Sequence, residues 1–243
     1  MRMVAFSLRC ARELLRDRLN LAFGMGFPLV LLMLLSALQA NIPVPLFEIH
    51  NLTPGISVFG LSFMTLFSAT LVARDRETAL LQRLYCTPMG AMDFILGYML
   101  PLIPMALGQT AVCYLFAGFL GLELGIQVIY AILGILPMAV FNIALGLLCG
   151  SLLGVKQVGG ICGALLTNLS GWLSGVWFDL ELVGGIFETL AHGLPFYHGV
   201  QLERALLAAD FPGAAGHFLI VGVYALLAAL AAVGCFLGQM KKQ

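Results

Sequence analysis

Charge is what this sequence has least of. Asp, Glu, Lys and Arg make up 10% of its 243 residues, whereas 61% are hydrophobic, and the mean hydropathy is +1.01. A soluble domain carries about 25% charged residues, so the chain lacks the polar surface needed to live in water. Apolar stretches run from end to end, which points to one membrane domain over residues 1–243 and no soluble module.

Other absences remove whole classes of activity. The phosphate-binding string G-x-x-x-x-G-K-[ST] is missing; the nearest match, Gly150-Ser-Leu-Leu-Gly154-Val-Lys156, has the wrong spacing. His50, His192, His198 and His217 form no H-E-x-x-H pair and no legible Ser-His-Asp arrangement. No catalytic residue and no metal ligand is therefore assigned. The six cysteines fall on the basic side or inside apolar windows, with no disulfide or metal spacing. No channel filter or ring of charge is legible. His217 is the only ionisable group within the apolar windows, which argues against a proton relay. Uphill movement of any solute would draw its energy from another chain.

What is present is a set of charge-free windows. A helix needs about 20 apolar residues to cross roughly 30 Å of hydrocarbon. Six windows qualify, at 21–39, 54–73, 94–120, 125–155, 157–178 and 214–238. The sequence thus predicts an all-α integral membrane protein with about six transmembrane helices. The first window is a span rather than a cleaved signal peptide, because its apolar run is long and no A-x-A site follows.

Orientation follows from the basic residues. Eleven of the twelve Lys and Arg residues fall on one side, and Arg204 alone falls on the other. Seven acids (Glu48, Glu123, Asp179, Glu181, Glu188, Glu203 and Asp210) accompany Arg204. The positive-inside rule then places both termini in the cytosol and residues 179–213 outside, as a segment of short helices capping an exit.

Two cytosolic segments carry patterns of their own. In residues 1–20, Val4, Leu8, Ala11, Leu15 and Leu19 recur at helical steps opposite Arg2, Arg9, Glu13 and Arg16. That is an amphipathic helix lying along the inner membrane surface, or simply a basic topogenic flank. In residues 74–90, charges fill a first helical turn, Leu80, Leu81, Leu84 and Tyr85 form an apolar stripe, and Thr87-Pro88 ends the helix. Such a stripe serves either a docking partner or the membrane interface.

At this segment the sequence resembles the permease subunit of ABC type-2 transporters, the family of bacterial drug, antibiotic and polysaccharide exporters. The matching strings are Leu52-Thr-Pro-Gly55, Arg74-Asp-Arg-Glu77-Thr, Leu81-Gln-Arg-Leu84, Thr87-Pro88-Met, Ile95-Leu-Gly97 and Leu194-Pro-Phe-Tyr-His-Gly-Val200 with Arg204. Each is weak alone; in this order and at this length they are specific.

The resemblance implies a permease of the bacterial inner membrane. It implies a second permease copy or a sister permease, and separate ATP-binding subunits that hold ATP and Mg; this chain binds no cofactor itself. Membrane lipid is an expected partner and nucleic acid is not. It further implies that residues 74–90 form a coupling helix on the ATPase that includes Arg74 and Asp75, with Glu77 and Arg83 expected to anchor it and Leu80, Leu81 and Leu84 to pack it. The acid preceding Glu77 is displaced relative to the family's E-x-E-like string and stands at Asp75.

By the same resemblance the first, second and fifth windows line a cavity between two permeases. Its candidate residues are Phe59, Phe63, Met64 and Phe67, with Asn168, Ser170 and Trp172. The phenylalanines recur at steps of four and equally suit lipid or a neighbouring helix. Gly146, Gly150 and Gly154 suit close helix packing within one subunit. The implied activity is export of a hydrophobic or amphipathic small molecule. A lipid-linked saccharide is the alternative cargo, and a non-transporting sensor or scaffold is the alternative class.

Overall fold

The structure, a computed structural model, describes residues 2–42, 47–78, 80–85, 89–178 and 180–240. All regular elements among them are helical. In chain order they are α1 (Arg2–Arg16), α2 (Arg18–Gln39), α3 (Ile49–Gly60), α4 (Ser62–Glu77), α5 (Leu80–Tyr85), α6 (Ala91–Phe119), α7 (Ile126–Gly134) and α8 (Leu136–Leu152). Then follow α9 (Val155–Val158), a π-helical stretch (Gly159–Leu166), α10 (Thr167–Leu173), α11 (Leu180–Val183), α12 (Gly185–Gly193), α13 (Pro195–Leu207) and α14 (Phe211–Met240).

Among the described residues, five helical segments are long and apolar enough to cross a membrane: Arg18–Gln39, Ile49–Glu77, Met92–Phe119, Ile126–Leu152 and Phe211–Gly238. They fall on five of the six expected windows. The remaining window, 157–178, is filled by a composite in which α9, the π stretch and α10 run end to end. The Thr167 hydroxyl donates to the Cys162 carbonyl five residues back at 3.0 Å, which supports the wider register there. The composite closes at Ser174–Gly175, where Gly175 has φ 70°.

The second span, α3 with α4, is the axis of the molecule. Of its most apolar stretch 83% is buried, against 22% for α2 and 17% for α14. Those two therefore sit at the periphery. Only Gly24, Pro28, Leu32 and Leu35 of α2 are buried, a single stripe at helical spacing. Away from that stripe, Phe23, Phe27, Val30, Met33, Leu34 and Leu38 are exposed, as suits a surface facing lipid.

Small residues on α8 allow the closest approach to that axis. A Cβ on Gly146 would stand 2.3 Å from the Thr65 carbonyl oxygen, and one on Gly150 would stand 2.5 Å from that of Ala69. Hydrogen bonds lock the same seam. Thr65 donates to the Asn142 carbonyl at 2.9 Å, and Ser68 to the Ile143 carbonyl at 3.1 Å. With no hydrophobic drive between helices in lipid, such contact and hydrogen bonding supply the adhesion. Gly146 and Gly150 thus pack this chain against itself, whereas Gly154 lies beyond the seam, at the start of α9.

The amphipathic segment forms as a helix, but with a second apolar face. Phe6, Cys10 and Leu14, spaced by four, are buried, and Phe6 meets Phe94 and Tyr98 of α6 edge-on at 5.8 and 4.9 Å. The expected stripe of Val4, Leu8, Leu15 and Leu19 is exposed instead. One stripe serves the protein core, and the other remains available to the membrane surface.

The same substitution in two places tests this packing. Gly146→Ala is expected to lower stability in detergent by about 1–3 kcal/mol through overpacking. Gly222→Ala on α14, where a Cβ meets nothing within 4 Å, is expected to raise it by up to about 1 kcal/mol. Thermal unfolding followed by circular dichroism reads both.

Candidate functional site

The charged segment at 74–77 does not open a separate coupling helix. Arg74, Asp75, Arg76 and Glu77 form the last turn of α4, and the six-residue α5 follows after a break. The reason is local. Nothing in the apolar run before Arg74 stops the helix, and basic side chains are favourable in a last turn. The Thr78 amide and hydroxyl then both bond the Arg74 carbonyl, at 3.0 and 2.9 Å, and close it. The expected stop at Thr87-Pro88 lies outside the described residues.

Each of these four residues reaches a different part of the chain. Arg74 donates to Asp17 at 3.2 Å, at the elbow between α1 and α2. Asp17 itself caps α2 by accepting from the Asn20 amide at 3.3 Å. Arg76 donates to the Gly150 and Leu153 carbonyls at 2.8 and 3.2 Å, satisfying the end of α8. Glu77 accepts from the Val155 amide at 3.0 Å, at the start of α9, where an acid is favoured by the helix dipole.

Asp75 is the buried member. Its carboxylate is 1% exposed and takes both guanidinium arms of Arg9, at 2.5 and 2.6 Å. The Tyr98 hydroxyl of α6 donates to it at 2.7 Å. A bidentate pair with a third donor is the arrangement that lets a carboxylate stay ionised away from water. Arg9 also holds Glu13 at 2.6 Å.

The electrostatics follow this geometry. The hydrogen bond to Asp75 carries the Arg9 guanidinium further above its already high value. Burial pushes the Cys10 thiol up to about 12, so it stays a thiol. Burial also raises the Glu13 carboxyl, although Arg9 opposes the shift. By sequence pattern alone, Arg9 belongs to the charged face of the N-terminal helix and Asp75 to a docking segment. Pairing across 66 residues has no local signal, so neither role was visible there.

The other coupling candidates divide. Leu81 is 2% exposed and joins the core; Leu80 is half-buried, and Arg83 projects into the open. The Leu84 side chain lies outside what the structure describes. α5 therefore presents Arg83 outward while Leu81 fastens it inward.

The cavity candidates are not gathered around one space. Phe59 and Phe63 cluster with Phe27 of α2, with ring centroids 5.9–6.5 Å apart. Trp177 meets Phe59 edge-on at 5.4 Å. Phe67 packs at Gly24 of α2, and Met64 is fully buried. Ser170 is buried and bonds the Thr167 carbonyl. Asn168 and Trp172 lie on the exposed side of α10. A cleft on the basic side joins Phe67, Leu71 and Met105 to Asp17, Asn20 and Arg74, so the aromatic stripe runs into the polar cluster.

Two substitutions separate these contributions. Arg9→Ala, which strands the buried Asp75 charge, is expected to cost about 3–5 kcal/mol. Tyr98→Phe, which removes one of three donors, is expected to cost about 1–2 kcal/mol. An Arg9→Met, Asp75→Leu pair is expected to recover most of the loss. Chemical unfolding of purified protein measures all three.

No curated protein matches the chain. A family model does: the description ABC-2 type transporter matches residues 2–208. The match takes in α1 through α13 and every residue of the 74–77 cluster. With its five long apolar helices, the chain is a multi-pass membrane protein, and it belongs to the ABC-2 type transporter family.

Proposed function

We propose that this chain is the permease subunit of an ATP-driven exporter that moves a hydrophobic or amphipathic small molecule across the plasma membrane of a bacterium. It pairs with a second permease, a copy of itself or a sister, and with separate ATP-binding subunits that carry ATP and Mg. The distribution of Lys and Arg supports an orientation with α1, α5 and both termini in the cytosol.

The observation that carries the proposal is the fan of contacts from residues 74–77. The family works with an ATP-binding subunit, and that partner must act on the spans through a cytosolic surface. α5 is such a surface, joined through one turn to side chains that hold the α1–α2 elbow, α6, α8 and α9. A push on α5 therefore reaches most of the bundle through charge-assisted bonds and not through a flexible loop. In this reading Arg83 and Leu80 meet the ATPase, with Leu81 seating the helix. Arg74, Asp75 and Glu77 pass its motion on. The exported molecule would travel between two permeases past the exposed Asn168 and Trp172 and the half-buried Phe63, whereas Phe59, Met64, Phe67 and Ser170 are packed inside this chain and would back that surface.

A specific feature favours the second cargo, a lipid-linked saccharide. On the face opposite α5, a recess of about 290 Å³ is lined by Glu181, His192, Tyr197, Gln201 and Arg204. His192 and Tyr197 stack at 4.4 Å. A stacked ring pair beside planar hydrogen-bonding side chains suits a polar headgroup better than an apolar body.

Reconstitution of the permease with its ATPase, screened for ATP hydrolysis stimulated by lipophilic compounds and by sugar-bearing lipids, distinguishes the cargoes. Arg83→Glu is expected to weaken association with the ATPase about tenfold, or about 1.4 kcal/mol. Glu77→Ala is expected to lower stimulated hydrolysis and transport together while leaving association intact. Unchanged transport in Glu77→Ala would remove Glu77 from the coupling path.

A further inference from the structure

α13 lies among the helices between the last two spans, yet it carries a fully buried acid. Glu203 is 0% exposed. Tyr114 of α6 donates to its Oε2 at 2.9 Å, while Oε1 has no hydrogen-bond partner among the described residues. The open oxygen faces the end of α7, where a Cβ on Gly134 would stand 3.9 Å from it. A charged carboxylate with one neutral donor and no cation is strongly disfavoured in such a place. A carboxylic acid is not: its proton occupies one oxygen and Tyr114 serves the other.

Among the described residues, the surrounding elements bring no compensating charge. α7 contributes no Asp, Glu, Lys, Arg or His, and its Tyr130 meets Phe211 edge-on at 5.3 Å. α6 contributes Tyr114, with Cys113 buried beside it. α3 has only His50, in its first turn. The neighbouring Arg204 donates instead to the Asn51 carbonyl at 3.3 Å.

On another side of α13, His198 meets His217 of α14 with Nδ1 atoms 2.8 Å apart, and its Nε2 faces the His192 carbonyl at 2.9 Å. A carbonyl only accepts, so Nε2 carries the hydrogen and the neutral His198 Nδ1 accepts from His217. α12 adds Glu188 to this neighbourhood, and α14 adds Tyr224, whose hydroxyl donates to the Gly193 carbonyl.

We propose that Glu203 is a proton-binding site, and that its proton latches α13 onto the second, third and fourth spans. α13 also supplies Tyr197, Gln201 and Arg204 to the polar recess, so release of the proton loosens one wall of that recess. Burial holds the Glu203 carboxyl well above the usual carboxylate range, with the Tyr114 hydrogen bond opposing the shift. Because the seated value is raised, the latch is complete below the ordinary carboxylate range and is lost as pH rises through the seated value. The histidine contact acts in the opposite sense. Burial lowers the His198 value, so its contribution is lost as pH falls.

The test compares Glu203→Gln with the native chain at each pH, which cancels the histidine contribution common to both. The amide imitates the protonated acid and cannot release a proton. Hydrogen exchange of the 195–207 amides is measured for both proteins in nanodiscs between about pH 4 and 9. Exchange in the two is expected to agree at the acid end, within the ordinary carboxylate range. The native chain is then expected to exchange progressively faster than the variant, by up to about tenfold per pH unit, until the ratio levels off above the seated midpoint.

A ratio that stays flat across the range overturns the proposal. So does a Gln variant that exchanges faster than the native chain throughout, because that result means the charged form is the resident one. Tyr114→Phe gives an independent reading: loss of a bond that favours the anion is expected to move the midpoint upward. A midpoint that stays or falls also overturns the proposal.

Discussion

Asp75 is a carboxylate with almost no access to water, and the rest of the architecture is arranged so that it can remain there. Arg9 reaches it from the N-terminal helix, Tyr98 reaches it from the third span, and the axis of the bundle carries it. Removing any partner leaves a charge or a phenol where neither is easily solvated. The cost of separation is therefore far larger than that of an exposed ion pair. The neighbouring residues extend the tie in other directions. Arg74 holds the elbow of α1 and α2, Arg76 closes the end of α8, and Glu77 opens α9. Five parts of the chain meet at one helical turn.

That turn differs physically from the seam above it. Between α4 and α8, adhesion comes from absent side chains: Gly146 and Gly150 bring backbones together, and two hydroxyls bond carbonyls across the gap. Such contact is stiff, because a tenth of an ångström matters at that distance. The charged turn is held by long side chains whose bonds can rotate while staying made. A stiff seam with a compliant charged end is a combination suited to carrying a displacement from one end of a helix along its length.

Much of this was legible in the sequence, and the failures share a cause. Charge-free windows locate spans because lipid leaves the backbone few alternatives, and five of six became helical segments long enough to cross, two of them with a one-residue turn at Leu61 and Ile135. The composite at 155–173 keeps the apolar length, but the Thr167 hydroxyl and the glycines around it shift its hydrogen-bond register. The charged run at 74–77 looked like the start of a helix because charge usually marks a boundary. Here the boundary lies one turn later, at Thr78. Glu203 counted as an outer acid in the charge map, since nothing in Leu202-Glu203-Arg204 tells which neighbour turns inward. Pairings such as Arg9 with Asp75, or Tyr114 with Glu203, are set by tertiary geometry. A pattern of period 3.6 locates a face but not what that face meets.

The peripheral position of α14 has a consequence of scale. Its 30 residues measure about 45 Å at 1.5 Å per residue, while the hydrocarbon layer is about 30 Å thick. With so little of its surface held by the protein, α14 meets that mismatch by leaning, bending, projecting past the lipid or thickening the layer around it, and lipid thickness sets the balance. His217 and Tyr224 fasten this helix to His198 and Gly193. The lean of α14 is thus geared to α12 and α13, and the depth of the surrounding bilayer becomes one of the forces acting on the acidic face of the molecule.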